Sequence, residues 1–473
     1  MAVHKPIILE LGPDFYDPVQ ATNFPRCQTR YLNRACAQFL DLDSELSTEE
    51  NWIQALGRFH PWAGNLSEPL ALRYHGHQFR HYNPDLGDGR GFLFAQFLAG
   101  DGKIYDLGTK GSGQTPYSRN GDGRLTLKGA MREALATEQL ESLGVRTSRT
   151  FCFFETGESL ERNDEPSPTR AAVLTRMSLS HIRIGTFQRL AFLQQKENLL
   201  KLLHYCVRHY TTEISLAATD LEIASQFLSW VSRNLADLAA QYMIAGFVHG
   251  VLNSDNMNIT GESFDYGPYR FLPIYDPNFV AAYFDQIGLY SFGRQPSAIH
   301  WNVAQLAGSL KWALPELPAQ ELIADFSSHF SRSVLRFFFQ RLNLKMRQDE
   351  ANDGLISQFF LFLAKTGMPY EQLFFDLFGG LWRQHSWTTS PVSSLYESPD
   401  FEDLKQALSG FQVADLGKLS HSYWQRREPC TLLIDEIEKI WSSIDQSDDW
   451  SAFEKKVSEI RSFRGLHQFV PEK

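Results

Sequence analysis

Apolar positions along this chain fall into two textures. From residue 71 to about 177, glycine punctuates short β-rich runs; beyond about 190, apolar residues recur at three- and four-residue spacing. GFLFAQFL (91–98) and KIYDLGTK (103–110), separated by Gly100-Asp101-Gly102, predict a β-hairpin. A helix is expected over 126–143, with Leu127, Met131, Leu135 and Leu143 near one face and Gly144 just past its end. Two further β-rich stretches follow at 150–154 and 171–177. The polar segment between them, 155–169, carries Pro166 and Pro168 and predicts an exposed loop.

The helical texture is clearest in FLQQKENLLKLLHYCVRHY, QFLSWVSRNLADLAAQYMIAG and HWNVAQLAGSLKWAL. A glycine- and aspartate-rich segment at 246–278 interrupts it, and the tail from about 319 stays helical with breaks near 367–369 and 390–391. Residues 1 to about 70 mix Pro, Trp and short helical patterns, as an extension that packs on something else. The expected organisation is therefore α+β. An N-terminal extension (1–70) precedes a β-rich lobe (71–185), a helical lobe (186–320) and a helical C-terminal extension (321–473). No internal repeat or low-complexity tract interrupts this order.

Composition narrows the class. At 473 residues and 43% hydrophobic the chain can bury a large core without disulfide or metal staples. The 45 basic and 55 acidic residues leave a net charge of −10, which argues against nucleic-acid or anionic-membrane partners while allowing a local basic pocket. The longest compact apolar run, 359–364, is far shorter than the ~18 residues of a membrane span. The first residues lack an apolar signal core, and the five scattered cysteines form no CxxC. A cytoplasmic enzyme is the expectation.

Four segments carry candidate chemistry. Gly87-Asp88-Gly89-Arg90 precedes the hairpin, and its glycines would let backbone N–H groups approach phosphates; a plain turn is the other reading. Lys110 ends the hairpin, is followed by Gly121-Asp122-Gly123-Arg124, and has Glu133 downstream on the helix. That order of glycine loop, strand lysine and helix glutamate is the layout of a protein-kinase small lobe; an exposed strand lysine and a solvated helical glutamate are the other reading. A lysine there is expected to carry little packing, so Lys110→Ala should leave the fold intact. The third segment joins Asp255-Asn256 to Asp265-Tyr266-Gly267, and such side chains supply hard oxygens to Mg²⁺ or accept a hydroxyl proton. The fourth pairs Arg176 with Arg183, with little acid nearby in sequence, as in a triphosphate clamp; surface arginines are the alternative. His75, His77 and His81 fit no common zinc spacing and are expected to be structural.

HGHQF (75–79), NPDLGDGR (83–90), KGSGQTPYSRNGDGR (110–124), REALATE (132–138), LTR with SHIRIG (174–185) and GFVHGVLNSDNM…FDYGP…YDPNF (246–279) occur together, in order. Over about 65–315 the chain resembles the selenoprotein O (YdiU) family of pseudokinase-fold protein nucleotidyltransferases. The resemblance implies a protein-kinase-like two-lobed fold that moves AMP from ATP to Ser, Thr or Tyr hydroxyls of proteins, with UMP transfer from UTP also attributed to bacterial members. It also implies roles. Gly87, Gly89 and Arg90 would contact the nucleotide, and Lys110 (supported by Glu133), Asp122 and Gly123 would hold phosphates. Arg176 and Arg183 would clamp the triphosphate, Asn256 and Asp265 would ligate Mg²⁺ (or Mn²⁺), and Asp255 would be the general base. Ordinary γ-phosphoryl transfer and a silent nucleotide-binding scaffold are the competing expectations. Two departures stand out: Arg80 replaces the family's usual glycine after HQF, and the tail beyond about 320 lacks the family's closing motifs and any cysteine near its end.

Overall fold

The computed structural model describes residues 6–163 and 165–467. It is a mixed α/β structure with one large sheet and many helices. The strands in chain order are β1 (Tyr16–Pro18), β2 (Gln28–Leu32), β3 (Asn65–Leu72), β4 (Gly76–Gln78), β5 (His81–Asn83), β6 (Leu93–Leu98) and β7 (Ile104–Lys110). They continue with β8 (Leu125–Thr126), β9 (Arg149–Leu160), β10 (Thr169–Ser178), β11 (Phe247–Val248) and β12 (Arg270–Phe271). The large sheet is ordered β1-β3-β6-β7-β10-β9-β2, with β8 pairing β10, and every pairing is antiparallel. β4–β5 and β11–β12 form separate two-stranded ribbons.

The expected hairpin is present, with Leu98 opposite Ile104 across its turn. β6 is buried almost throughout because both faces of the sheet are covered. One cover is the 24–59 segment, whose fully buried Trp52 packs on Phe151 at a ring distance of 5.1 Å. The other is the Leu127–Ser142 helix, which begins where the Thr126 hydroxyl accepts the Gly129 N–H (3.1 Å) and ends before Gly144 at φ +81°.

Three expectations are corrected here. The N-terminal segment is not an add-on: β1 and β2 form the two edges of the large sheet, and β3 crosses the boundary placed at residue 70. Strand pairing between distant segments leaves no local mark in either one. The 155–169 loop is in part strand, since β9 runs to Leu160 and β10 starts at Thr169, leaving a shorter tip than expected. Polar residues survive there because Glu155 is held by Arg30 and Arg170, at 2.5 and 2.6 Å. The boundary at 185 falls inside the Ile184–Phe192 helix. Long helices Lys196–Tyr210, Asp220–Ile244 and Gln295–Ala313 follow as the spacing predicts, and Gly367 (φ +64°) ends the Ala351–Thr366 helix at an expected break. The chain's last six residues, which contain no cysteine, lie outside the described residues.

Glu262, 6% exposed, accepts the Leu179 N–H at 2.7 Å and lies away from the cleft described below. Burial pushes its carboxyl from an ordinary 4.5 up to about 7. The unfolded chain releases this proton first, so folding stability falls as pH rises from 4.5 through 7, by on the order of 3 kcal/mol in total. Glu262→Gln should remove that slope. Urea unfolding of both proteins at pH 5 and pH 8 is expected to show the variant gaining on the parent only at pH 8.

Candidate active site

Every residue singled out above for nucleotide, metal or base chemistry, except Glu133, lines one cleft of about 850 Å³. Glu133 sits behind its wall. The sheet explains the first contacts. β10 runs beside β7 with Arg176 opposite Gly108 and Leu174 opposite Lys110, so Lys110 and Arg176 share a face. Lys110 Nζ meets Glu133 at 2.5 Å, and the two side chains are 8% and 1% exposed. The lysine is therefore buried, and the expectation that it carries little structural weight is corrected: without it, Glu133 would be a buried carboxylate with no hydrogen bond.

The two arginines are not free of acid, which corrects the premise that set them apart. Arg176 binds Asp265 closely, and Arg183 reaches the other Asp265 oxygen at 2.9 Å, with Lys110 at 3.7 Å from the first. Burial alone would raise the Asp265 carboxyl, but Arg176, Arg183 and Lys110 outweigh it and hold it well below the usual carboxylate range. Arg183 also donates to the Asp255 carbonyl at 2.8 Å, tying the two acidic loops together. Asp265 lies 89 positions from Arg176 and 82 from Arg183, so no local pattern could show the pairing.

Close packing of neighbouring backbone and side chains by itself requires glycine in these segments. A Cβ on Gly87 would lie 2.3 Å from the Tyr117 ring, and one on Gly89 would lie 2.7 Å from the Tyr117 carbonyl oxygen. The 115–123 loop rests directly on them, its Thr115 and Ser118 hydroxyls donating to the carbonyls of Asp88 and Gly89, each at 2.6 Å. Gly123 (φ +70°) packs on the Gly113 backbone, and the Asp122 carboxylate is held by Arg162 from the β9–β10 tip, at 2.8 and 3.1 Å. Arg90 is exposed at the rim.

Asp255 lies in a single 3₁₀ turn, Ser254–Asn256, beside the β4–β5 ribbon. The His77 N–H donates to Ser254 Oγ (2.7 Å), the Phe79 N–H donates to Asn253 Oδ1 (3.1 Å), and Gly76 leaves room for the Asp255 side chain. This is what the HGHQF run does: it presses the turn into the cleft. His75 hydrogen-bonds Tyr82 at 2.8 Å, and His77 hydrogen-bonds Gln188 at 2.7 Å. Phe79 (φ +50°) and Arg80 (φ +66°) are both left-handed, so the arginine keeps the backbone form a glycine would adopt, at a cost of roughly 1 kcal/mol. Asp255 is 8% exposed and its Oδ1 is buried without a hydrogen-bond partner. Burial, opposed by Arg183, pushes its carboxyl up to about 6. Asn256 donates its amide to the Val251 carbonyl at 2.9 Å, leaving its oxygen as the unspent end.

Sequence reasoning missed three groups. Asp88 accepts from the Leu72 N–H (3.1 Å) and from Arg183 (3.3 Å), which ties the first glycine segment to the clamp. His181 accepts from Arg176 Nε at 3.2 Å and lies 3.1 Å from Asp106, packed where Gly108 lacks a side chain. Arg162 comes from what looked like an exposed loop. Asp88 in NPDLGDGR and His181 in the Ser-His-Ile-Arg run held a usable signal, each being part of a motif.

Comparison with known proteins extends the picture to both ends of the chain. The family model described as protein adenylyltransferase SelO matches residues 1–461. The chain is 40% identical to the protein nucleotidyltransferase YdiU of Synechocystis over 480 residues, covering 97% of this chain and 98% of that one. It is 39% identical to the protein of the same name from Trichormus variabilis and 41% to that of Gloeobacter violaceus, covering 97% of this chain and 96% and 95% of theirs. The likeness is thus not confined to 65–315, and the tail is part of it. A match of this extent, over a chain whose family motifs converge on one cleft, places this protein in the SelO family of protein adenylyltransferases.

Proposed function

We propose that this chain transfers AMP from ATP to the hydroxyl of a Ser, Thr or Tyr side chain on a protein, releasing pyrophosphate. The observation that carries the reading is the convergence of Asp255, with its unpartnered buried oxygen, and the Lys110, Arg176 and Arg183 cations in one cleft. In this reading the Asp255 carboxylate takes the acceptor's proton as the acceptor's hydroxyl oxygen bonds to the α-phosphorus. The bond to the bridging oxygen breaks, and Lys110, Arg176 and Arg183 stabilise the departing pyrophosphate. Gly87, Gly89, Arg90, Asp122 and Gly123 border the nucleotide.

The donor set fits a hard divalent cation. Asp265 and Asn256 line the cleft, and the described residues contain no cluster of three or more His, Cys, Asp or Glu side chains suited to a metal. Two protein oxygens completed by phosphates and water suit Mg²⁺, or Mn²⁺, better than a metal needing a full protein cage. When bound, the ion would neutralise phosphate oxygens.

The architecture supports a protein-kinase-like reading: the large sheet, with strands from Tyr16 to Ser178, and its Leu127–Ser142 helix supply Lys110 and Glu133, and the mostly helical region from Ile184 supplies Asp255 and Asp265. The net charge of −10 supports partners other than nucleic acids. Among the described residues no helix is long and apolar enough to cross a membrane, which is compatible with a cytoplasmic site of action.

Product mass tests the activity. With ATP, Mg²⁺ and casein as a hydroxyl-rich acceptor, AMP-sized adducts and pyrophosphate are expected. Phosphate-sized adducts with ADP would establish γ-phosphoryl transfer instead. Tight ATP binding without any adduct, under Mg²⁺ or Mn²⁺, would indicate a silent scaffold. UTP in place of ATP reads out UMP transfer.

A further inference from the structure

The Leu127–Ser142 helix presents Glu133 to Lys110 on one side and is gripped by the C-terminal segment on the other. Residues five apart on a helix lie about 140° apart around its axis, so Glu138 faces away from Glu133. Glu138 is 2% exposed. It receives Arg461 through Nη2 at 2.6 Å and Nε at 3.0 Å, and is also bound closely by Arg464 and by the Tyr31 hydroxyl. Burial alone would raise the Glu138 carboxyl; Arg461 and Arg464 outweigh it and hold it below its ordinary value. Arg464 reaches Glu141 at 3.0 Å, and Lys128 at the start of the helix meets Glu438 at 2.7 Å.

The same segment is fastened to the sheet. Asp448, between the Ile434–Ser447 and Ser451–Ser462 helices, accepts Arg30 of β2 at 2.8 Å and Arg170 of β10 at 2.6 Å. Lys110 is carried by that sheet, so the tail bridges the two bodies whose spacing sets the Lys110–Glu133 contact. Neither Glu138, Arg461 nor Arg464 lines the cleft.

We propose that Arg461 and Arg464 are positioning residues for nucleotide transfer, anchoring Glu138 so that the helix holds Glu133 against Lys110. This rests on the reading that the Lys110–Glu133 pair orients the triphosphate. A helix is stiff enough that a shift of about 1 Å at one face displaces the other, and displacements of that size are costly in a site that depends on alignment. The C-terminal segment thereby acquires a task in the reaction.

A double-mutant cycle on the full chain decides it. Arg461→Ala/Arg464→Ala, Glu133→Gln and their combination are compared by kcat/KM for ATP in AMP transfer to casein, with melting temperatures alongside. The expected result is a roughly tenfold loss from the arginine pair in the parent and less than about twofold in the Glu133→Gln background. Equal losses in both backgrounds, or none in either, would overturn the proposal, because a merely structural role lowers stability without regard to Glu133. Full activity of Glu133→Gln alone would overturn the reading of the Lys110–Glu133 pair itself, a separate and recognisable outcome. If the arginine pair does not yield folded protein, Arg464→Gln, which keeps Arg461 on Glu138, runs the same cycle.

Discussion

Asp265→Asn is expected to reduce AMP transfer ~10²-fold or more while leaving metal-free ATP binding intact or tighter. The substitution keeps the left-handed backbone at φ +64°, which asparagine tolerates, and removes only the charge. Arg176 and Arg183, whose side chains are 5% and 3% exposed, then lose the carboxylate they share, while Arg183 keeps Asp88 at 3.3 Å. The loss of that buried partner should cost about 3 kcal/mol of folding stability. ATP supplies the missing negative charge, so it should stabilise the variant more than the parent when Mg²⁺ is absent, and added Mg²⁺ should no longer improve affinity. Calorimetric titration with ATP, with and without Mg²⁺, checks both statements. Asp255→Asn forms the contrast: Mg²⁺-dependent ATP affinity should stay near that of the parent while single-turnover transfer falls, because this carboxylate meets the acceptor hydroxyl. If Asp255→Asn abolishes metal-dependent binding while Asp265→Asn preserves it, the two roles have been exchanged.

Lys110→Ala should also cost ~10²-fold or more in transfer, since it removes a preorganised cation from the site where pyrophosphate charge develops. Its structural cost sets it apart from a surface lysine. Glu133 is 1% exposed at its side chain and its second oxygen already lacks a hydrogen bond, so losing Lys110 should lower stability by about 3 kcal/mol. Lys110→Ala/Glu133→Gln removes the stranded charge. Thermal melts are expected to show that this double variant regains most of the lost melting temperature, and transfer assays to show that it regains none of the activity. Equal activity losses with no recovery of melting temperature would mean that the pair is not the buried couple described above.

Much of the site was legible because its chemistry lies in short contiguous runs. A strand end, a turn and a helix each carry their functional residue at a position set by local geometry, so Lys110, Glu133, Asp255 and Asp265 could be picked out from spacing and motif. Their partners could not. Arg176 and Arg183 looked like cations without acid because Asp265 is distant in sequence, and the packing that requires glycine at 87 and 89 was hidden because Tyr117 comes 28 to 30 positions later. The edge strands β1 and β2 showed no β signal strong enough to detach them from a helical extension. Their pairing energy comes from β3 and β9 rather than from their own residues.

By itself, then, the sequence determined the helices from 190 onward, the β6–β7 hairpin, the capped helix after Thr126, and the identity of the cleft's ionisable groups, because periodicity, turn residues and motif order are local properties of the chain. Only the tertiary structure decided which charges neutralise one another, which glycines are required by a neighbouring loop, and that the tail from 430 to 464 grips the Glu133 helix while fastened to the sheet. Those are contacts between residues up to hundreds of positions apart. Burial makes them strong, and burial exists only once the chain has folded.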